Sequence, residues 1–332
     1  MSRAARDQRI RSAPKNGSPP QRPSLVAWLP GLRHPPRTMP GHTSEDPWTQ
    51  PPASRPGSPR GRAPLEDRPG STPARVYLSP HLDDAVLSCG GAITAAVAHG
   101  EQVLVLTVCA GAPTPEAPLT PFARSVLARI GHPTPAESMQ ARRSEDEAAA
   151  RCVGADTFWL DDLDAIYRDP TYDTQAALFA APAPGDRLAE SLQEELGALL
   201  ERWPDAVLYA PLGIGEHIDH QLAHAAAAAL AAAGHRVTFY EDFPYVAWDP
   251  SALDRRLAHL GGRDAFTAEI VPLDEAALER RIAGIACYAS QLGLLFGDAQ
   301  SMARTVTAHA ASLASPAGPH GERVWTRRTP TP

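Results

Sequence analysis

Two short segments concentrate the side chains able to do chemistry. Val76-Tyr-Leu-Ser-Pro-His81-Leu-Asp83-Asp84-Ala85 carries one histidine and two adjacent carboxylates, and Gly215-Glu-His217-Ile-Asp219-His220 carries two histidines around a third carboxylate. Imidazole nitrogen and carboxylate oxygen are donors that hold zinc, and three protein ligands with one open position mark a catalytic site. Asp83 and Asp84, being adjacent, point in different directions, so one can ligate while the other stands beside the metal as a base. His217 and His220 are three apart, which puts both on one face of a helix's first turn; one can ligate while the other acts, and Asp219 can orient a ring nitrogen. A metal there would acidify water and polarise a carbonyl, so the expected reaction is amide hydrolysis. His224 has the spacing of paired zinc histidines relative to His220 but lacks the glutamate of H-E-x-x-H, and is expected as a polar residue on a helix face.

Both segments need strands to place them. Each follows a short apolar run, Val76 to Leu78 and Ala206 to Ala210, and so sits at the carboxyl end of an expected strand, where open α/β sheets bind ligands. From Val76 the pattern alternates: strand 76–78, helix 85–99, strand 102–109, helix 138–152, strand 157–160, helix 186–203, strand 206–210, helix 220–233, strand 237–240 and a final helix 275–295. Gly100 and Gly154 stop two of the helices. Alternation of this kind predicts an α/β fold: a Rossmann-like, mainly parallel sheet with helices on both faces. The stretches 112–135 and 161–185 read as loops.

Composition narrows the field. Sixteen of the 35 prolines precede residue 75, so residues 1–74 are expected to be a disordered tail rich in Pro and Arg. The folded domain is expected over 75–298, followed by a partly disordered C-terminal extension over 299–332. Basic residues concentrate in the tail of a chain whose formal net charge is −7, leaving an acidic body with no electrostatic reason to bind nucleic acid. The single lysine, Lys15, lies in the tail, which excludes Schiff-base and P-loop chemistry from the body. Cys89, Cys109, Cys152 and Cys287 form no C-x-x-C pair and read as reduced. No apolar run is long enough to span a membrane, so a cytoplasmic location is expected. Ser88-Cys-Gly-Gly91 offers the alternative of a nucleotide-binding turn, opposed by its place inside a predicted helix.

At these residues the sequence resembles the PIG-L / LmbE family of zinc-dependent N-deacetylases, whose motifs Ala-His-Pro-Asp-Asp and His-x-Asp-His read here as Pro80-His-Leu-Asp-Asp84 and His217-Ile-Asp-His220. Arg142-x-x-Glu145 ahead of Val153-Gly154, and Tyr288-Ala-Ser-Gln291, are similar to two further family elements. The resemblance covers about residues 75–298. It implies that His81, Asp84 and His220 hold zinc, with Fe(II) or Co(II) as possible substitutes, and that Asp83 is the general base. It implies that His217 polarises or protonates the intermediate with Asp219 supporting it, and that Arg142 and Asp164 border the substrate. The implied activity is removal of an acetyl group from an amino sugar or glycoconjugate. A larger N-acyl or thiol-conjugate substrate, or non-catalytic binding of metal and carbohydrate, are the competing readings. Trp159, Tyr167 and Tyr245 are available to stack on a sugar. Two departures, Leu82 for the family's proline and Ala85 for a frequent acidic residue, remove no ligand. The oligomeric state is left open.

Overall fold

The computed structural model describes residues 72–328. The tail expected over 1–74 therefore lies, but for its last three residues, outside the described residues.

The parallel half of the fold forms as its apolar runs predict. Strand β1 (Arg75–Ser79) leads to helix α1 (Asp84–Ala98) and strand β2 (Val103–Thr107). Helices α2 (Pro121–Ile130) and α3 (Pro135–Val153) precede strand β3 (Asp156–Trp159); the short helices α4 (Ala165–Arg168) and α5 (Gln175–Leu178) lead into α6 (Leu188–Arg202). Strand β4 (Val207–Pro211), helix α7 (Ile218–Ala232) and strand β5 (Val237–Tyr240) complete this half. All five residues of β2 are buried, because helices cover both faces of the sheet; such strands read as continuous apolar runs without alternation. In α6, Leu192, Leu196 and Leu200 are buried at four-residue spacing, a stripe that packs toward the alanine-rich α7. Each such leucine contributes about 1.5–3 kcal/mol.

The remaining elements are helices α8 (Tyr245–Trp248) and α9 (Ala252–His259), strand β6 (Phe266–Leu273), helices α10 (Glu275–Ala286), α11 (Ala289–Leu295) and α12 (Ala299–Ser312), and strand β7 (His320–Arg327). The 7-stranded sheet runs β3-β2-β1-β4-β5-β7-β6. Strands β1 to β5 pair in parallel, and β7 pairs antiparallel with both β5 and β6. The chain leaves β1 toward β3, then returns to place β4 on the other side of β1. Strand order reverses at this point, and a crevice opens at the carboxyl ends of β1 and β4.

Two expectations are corrected, and the C-terminal region is more ordered than its reading suggested: residues 299–328 supply α12 and an interior strand, whose Trp325 is 1% exposed, while residues 329–332 lie outside the described residues. Charged side chains hide this strand from a hydrophobic pattern, since β7 buries Glu322 against Arg281 at 3.3 Å and Arg323 pairs with Glu241. The loop expected over 112–135 contains α2, capped by Thr120 and ended by Gly131 at φ 80°. The expected helix 275–295 is two helices, α10 and α11, broken at Cys287 and Tyr288.

The glycines of Ser88-Cys-Gly-Gly91 lie buried in the middle of α1. A Cβ on Gly91 would stand 2.5 Å from Leu273, and one on Gly90 would stand 2.9 Å from Arg281. These glycines let α1 approach α10 and β6 closely and form no phosphate turn.

Candidate metal centre and active-site cleft

The turn after β1 is tied by Ser79, whose hydroxyl donates to the His81 carbonyl at 2.6 Å and accepts the Ala85 N–H at 3.0 Å. Leu82, standing where the family has proline, is fully buried beside Ala110 and Met139. This turn sends His81 and Asp84 toward β4 and leaves Asp83 facing α3. The loop after β4 is bent by residues in the left-handed region: Gly213 at φ 83°, Gly215 at φ 89° and the non-glycine Glu216 at φ 64°. A Cβ on Gly215 would lie 2.5 Å from the Tyr245 ring, so only glycine admits this approach. The bend ends at His217, the N-cap of α7, which presents His220 one turn later.

The donor atoms converge. Asp84 Oδ2 lies 3.2 Å from His81 Nδ1 and 3.2 Å from His220 Nε2, and accepts the His81 backbone N–H at 2.8 Å. Around a tetrahedral ion with bonds of about 2.0–2.2 Å, ligand atoms stand roughly 3.3–3.6 Å apart, so Asp84 stands close to ligand-to-ligand distance from each histidine. A ring nitrogen of His217 also lies within 4.8 Å of ring nitrogens on His81 and His220. The site is therefore equipped for a divalent metal.

Each histidine facing Asp84 is held from behind by a carboxylate. His220 Nδ1 meets Asp242 Oδ1 at 2.7 Å, and Asp242 Oδ2 accepts the N–H groups of Gly213 and Ile214, both at 2.8 Å. His81 Nε2 meets Asp219 Oδ2 at 3.0 Å. The other oxygen of Asp219 accepts from Arg168 at 2.6 Å, and Arg168 also binds Asp186 at 2.8 Å. An ionised carboxylate only accepts, so each ring carries a proton on its outer nitrogen, and the inner one, facing Asp84, is the nitrogen that would release its own proton to a metal. Asp219 thus supports His81. Its carboxylate stands 4.0 Å from His217 Nδ1, and it reaches that ring only through its backbone N–H, at 3.3 Å. A second trio of donors, His81, Cys109 and Asp219, is poorly suited to metal: Arg168 and the Ala165 N–H occupy Asp219, and burial pushes the Cys109 thiol well up.

Burial and neighbouring charge set the protonation of the centre. Burial opposes charge on His81, but the hydrogen bonds its ring donates to Asp219 and Asp84 outweigh it and raise its pKa well above the ordinary value. His220 is pushed up to about 10 because Asp84 and Asp242 overcome the same burial. Burial also acts to raise Asp84, yet His220 holds it well below the usual carboxylate range. Asp83 rises to about 6, through burial first and then the charge of Asp84, with Arg142 opposing. His217 falls to about 3, through burial and then the neighbouring His81 charge.

The centre opens into a cleft of about 250 Å³ lined by Asp83, Arg142, Asp164, Tyr167, His217 and Tyr245, among others. Arg142 Nη2 stands 3.8 Å from Asp83, and Arg142 Nε is buried with no hydrogen-bond partner among the described residues. Its helix neighbours are engaged elsewhere: Glu145 binds Ser290, and Asp146 binds Trp159 and Tyr288. Asp164 caps α4 and reaches to 3.7 Å from His81 Nε2. Trp159 does not line this cleft; it faces a separate depression on the other side of Met139. His224 is turned away, its Nδ1 3.0 Å from the Pro211 carbonyl oxygen and its ring against Phe239.

Asp242, Arg168 and Asp186 escaped the reading of the sequence. The only signal was an acidic pair, Glu241-Asp242, directly after a strand. Which histidine Asp242 would meet depends on β5 lying beside β4, a pairing between distant segments.

Comparison with known proteins agrees with this geometry. Residues 76–233 match the family model described as PIG-L, GlcNAc-PI de-N-acetylase. The chain is 30% identical over 268 residues to a 2'-N-acetylparomamine deacetylase of Streptomyces fradiae, covering 76% of this chain and 88% of that one. Among solved structures it is similar to a deacetylase-bog complex from the biosynthesis pathway of teicoplanin, with TM-score 0.65, 28% identity and coverage of 77% and 99%. It is also similar to the zinc inhibited form of a teicoplanin deacetylase, with TM-score 0.63, 27% identity and the same coverage. Fold, motif order and overall similarity agree, and the chain belongs to the PIG-L, or LmbE-like, family of deacetylases, hydrolases of amide bonds.

Proposed function

We propose that this deacetylase removes an N-acetyl group from an amino sugar or glycoconjugate, using zinc held by His81, Asp84 and His220, with Asp83 as general base. The observation that carries the proposal is the division of labour between adjacent carboxylates: Asp84 Oδ2 is 3.2 Å from both histidines, while Asp83 points into the cleft beside Arg142. Asp84 is preferred to His217 as third ligand because its distances match a tetrahedral ion.

Zinc bound there supplies a Lewis acid that polarises the amide carbonyl and acidifies water. Asp83 would take one proton of the attacking water and, protonated, deliver it to the departing nitrogen; the water's second proton leaves with the acid or passes to the amine, so the products are acetic acid and amine, or equally acetate and ammonium. A pKa near 6 suits a base that must also return the proton. His217 stays neutral, and its Nδ1 accepts the Asp219 N–H. The ring proton therefore sits on Nε2, ready to donate to the oxyanion that develops on the carbonyl oxygen. Arg142, whose buried Nε has no partner among the described residues, offers hydrogen bonds to sugar hydroxyls, and Asp164 can accept from them.

Named activities of relatives support an amino-sugar substrate.

The test is acetate release from a panel of N-acetylated sugars by the full chain loaded with zinc, Fe(II) or Co(II), or stripped by chelator, with Asp83→Asn beside it. Metal-dependent release, reduced about 10²–10⁴-fold in the variant while the metal stays bound, is the expected result. Equal activity in the stripped enzyme, or in Asp83→Asn, would reject the mechanism. Comparing metals also matters because one structural relative is described in a zinc inhibited form.

A further inference from the structure

One wall of the cleft is apolar, and the mechanism does not use it. Helix α2 carries two apolar faces. Ala123 and Leu127 are buried toward the core, whereas Phe122, Val126 and Ile130, four residues apart, line the cleft that holds Asp83 and His217. Across from them α11 contributes Leu294 and Leu295 to the same cavity. All five side chains are only partly buried, and α2 packs against α11. A helix face of this kind against water is a cost unless something apolar covers it.

The opposite end of the cleft is narrow. The ring of Phe179 lies 5.3 Å from that of His217 and 6.3 Å from that of Tyr245, and Tyr245 lies 5.9 Å from His220. Aromatic rings thus crowd the side where the carbonyl must meet His217, leaving room for a small acyl group. The carboxylates that line the cleft, Asp83, Asp84 and Asp164, belong to the reacting end, and Arg142 stands there beside Asp83. Among the described residues the one remaining charge lining the cleft is the cation Arg129, on the same helix as the apolar wall, and a cation does not attract a polycation.

We infer that the substrate is an N-acetyl amino sugar bearing an apolar substituent on its aglycone side, seated against Phe122, Val126, Ile130, Leu294 and Leu295. This rests on the amino-sugar reading above and deepens it by naming the chemistry of the remainder of the substrate.

The experiment measures kcat/KM for acetate release from methyl, butyl and octyl 2-acetamido-2-deoxy-β-glucopyranosides, all below the micellar concentration. A second arm follows release of butanoate or octanoate from methyl glycosides carrying N-butanoyl or N-octanoyl in place of N-acetyl. Burying two of the seven methylenes that octyl adds to methyl gives about a tenfold gain, expected mainly in KM. In Leu294→Glu and, separately, Ile130→Glu, the octyl-to-methyl ratio should collapse to about one. The ratio is internal to each variant, so a partly folded preparation does not imitate the result.

A flat series in the wild type, with methyl glycoside turned over, overturns the apolar-wall assignment and leaves the amino-sugar reading standing. A gain confined to the N-acyl arm also overturns it, by moving the chain to the acyl side. Should no member release acetate, the amino-sugar reading fails, and calorimetric Kd values decide the wall separately. At least tenfold tighter binding of the octyl than the methyl glycoside supports it, and equal binding sinks it.

Discussion

Asp242→Asn is the most revealing single change because it alters one atom of a residue that never touches the substrate cleft. Asp242 is 1% exposed and accepts three hydrogen bonds, from His220 Nδ1 and from the Gly213 and Ile214 N–H groups. Asparagine has one accepting oxygen and one donating nitrogen. If its oxygen keeps the two loop N–H groups, its NH₂ faces His220, and the ring must move its proton to Nε2. That nitrogen points at Asp84 from 3.2 Å and is the one that would hold the metal. If the amide flips, two backbone donors face a third donor, and an unsatisfied buried donor costs about 1–3 kcal/mol. Either arrangement predicts a loss of metal affinity of about 10–100-fold, the usual cost of removing such a supporting partner. Competition against a chromophoric chelator gives the affinity, and circular dichroism confirms the fold. A folded Asp242→Asn protein that binds metal within twofold of wild type would refute the claim that Asp242 sets the ring's tautomer.

Three further outcomes follow from the same geometry. Arg168→Gln leaves Asp219 and Asp186 buried without their cation, so urea unfolding should show a loss of about 3–5 kcal/mol; unchanged stability would mean the network is not what holds α4 to α7. Gly91→Ala drives a methyl into Leu273 and Glu322 and should cost about 1–3 kcal/mol of stability, read as a lower urea midpoint. Burial first and then Arg256 hold His224 down to about 3. The folded state therefore binds fewer protons than the unfolded chain below the ordinary histidine value near 6.5, and stability from this group is full above that pH and lost as pH falls toward 3. The slope is at most about 1.4 kcal/mol per pH unit. His224→Gln should flatten the decline of the urea midpoint between pH 6.5 and 4.5, and an unaltered slope would exclude His224 as its source.

The parallel half of the sheet was legible because strands buried on both faces carry their signal locally, as apolar runs between glycine stops. The histidines and carboxylates that meet were legible for the same reason: they sit directly after β1 and β4, and the end of a strand is where this architecture opens. What escaped depended on partners far away in sequence. Glu322 reads as a solvent residue until Arg281 is placed beside it, so β7 was missed. Helix α2 carries a threonine cap, a proline at its start and a glycine at its end, but the surrounding prolines obscured a ten-residue helix. Asp219 was expected to support His217; a residue's neighbour in the chain need not be its partner, and the carboxylate turns instead to His81, supplied from β1.

Strand β7 follows every other strand in the chain yet lies between β5 and β6. During synthesis, the sheet cannot close until residue 327 has left the ribosome, and until then β5 has an open edge. Glu241, next to Asp242, is anchored by Arg323 and Trp325 of that late strand. The neighbour of Asp242 is therefore fixed last, while Asp242 itself is already held by the Gly213 and Ile214 N–H groups of the loop after β4, so the five parallel strands can assemble before β7 arrives.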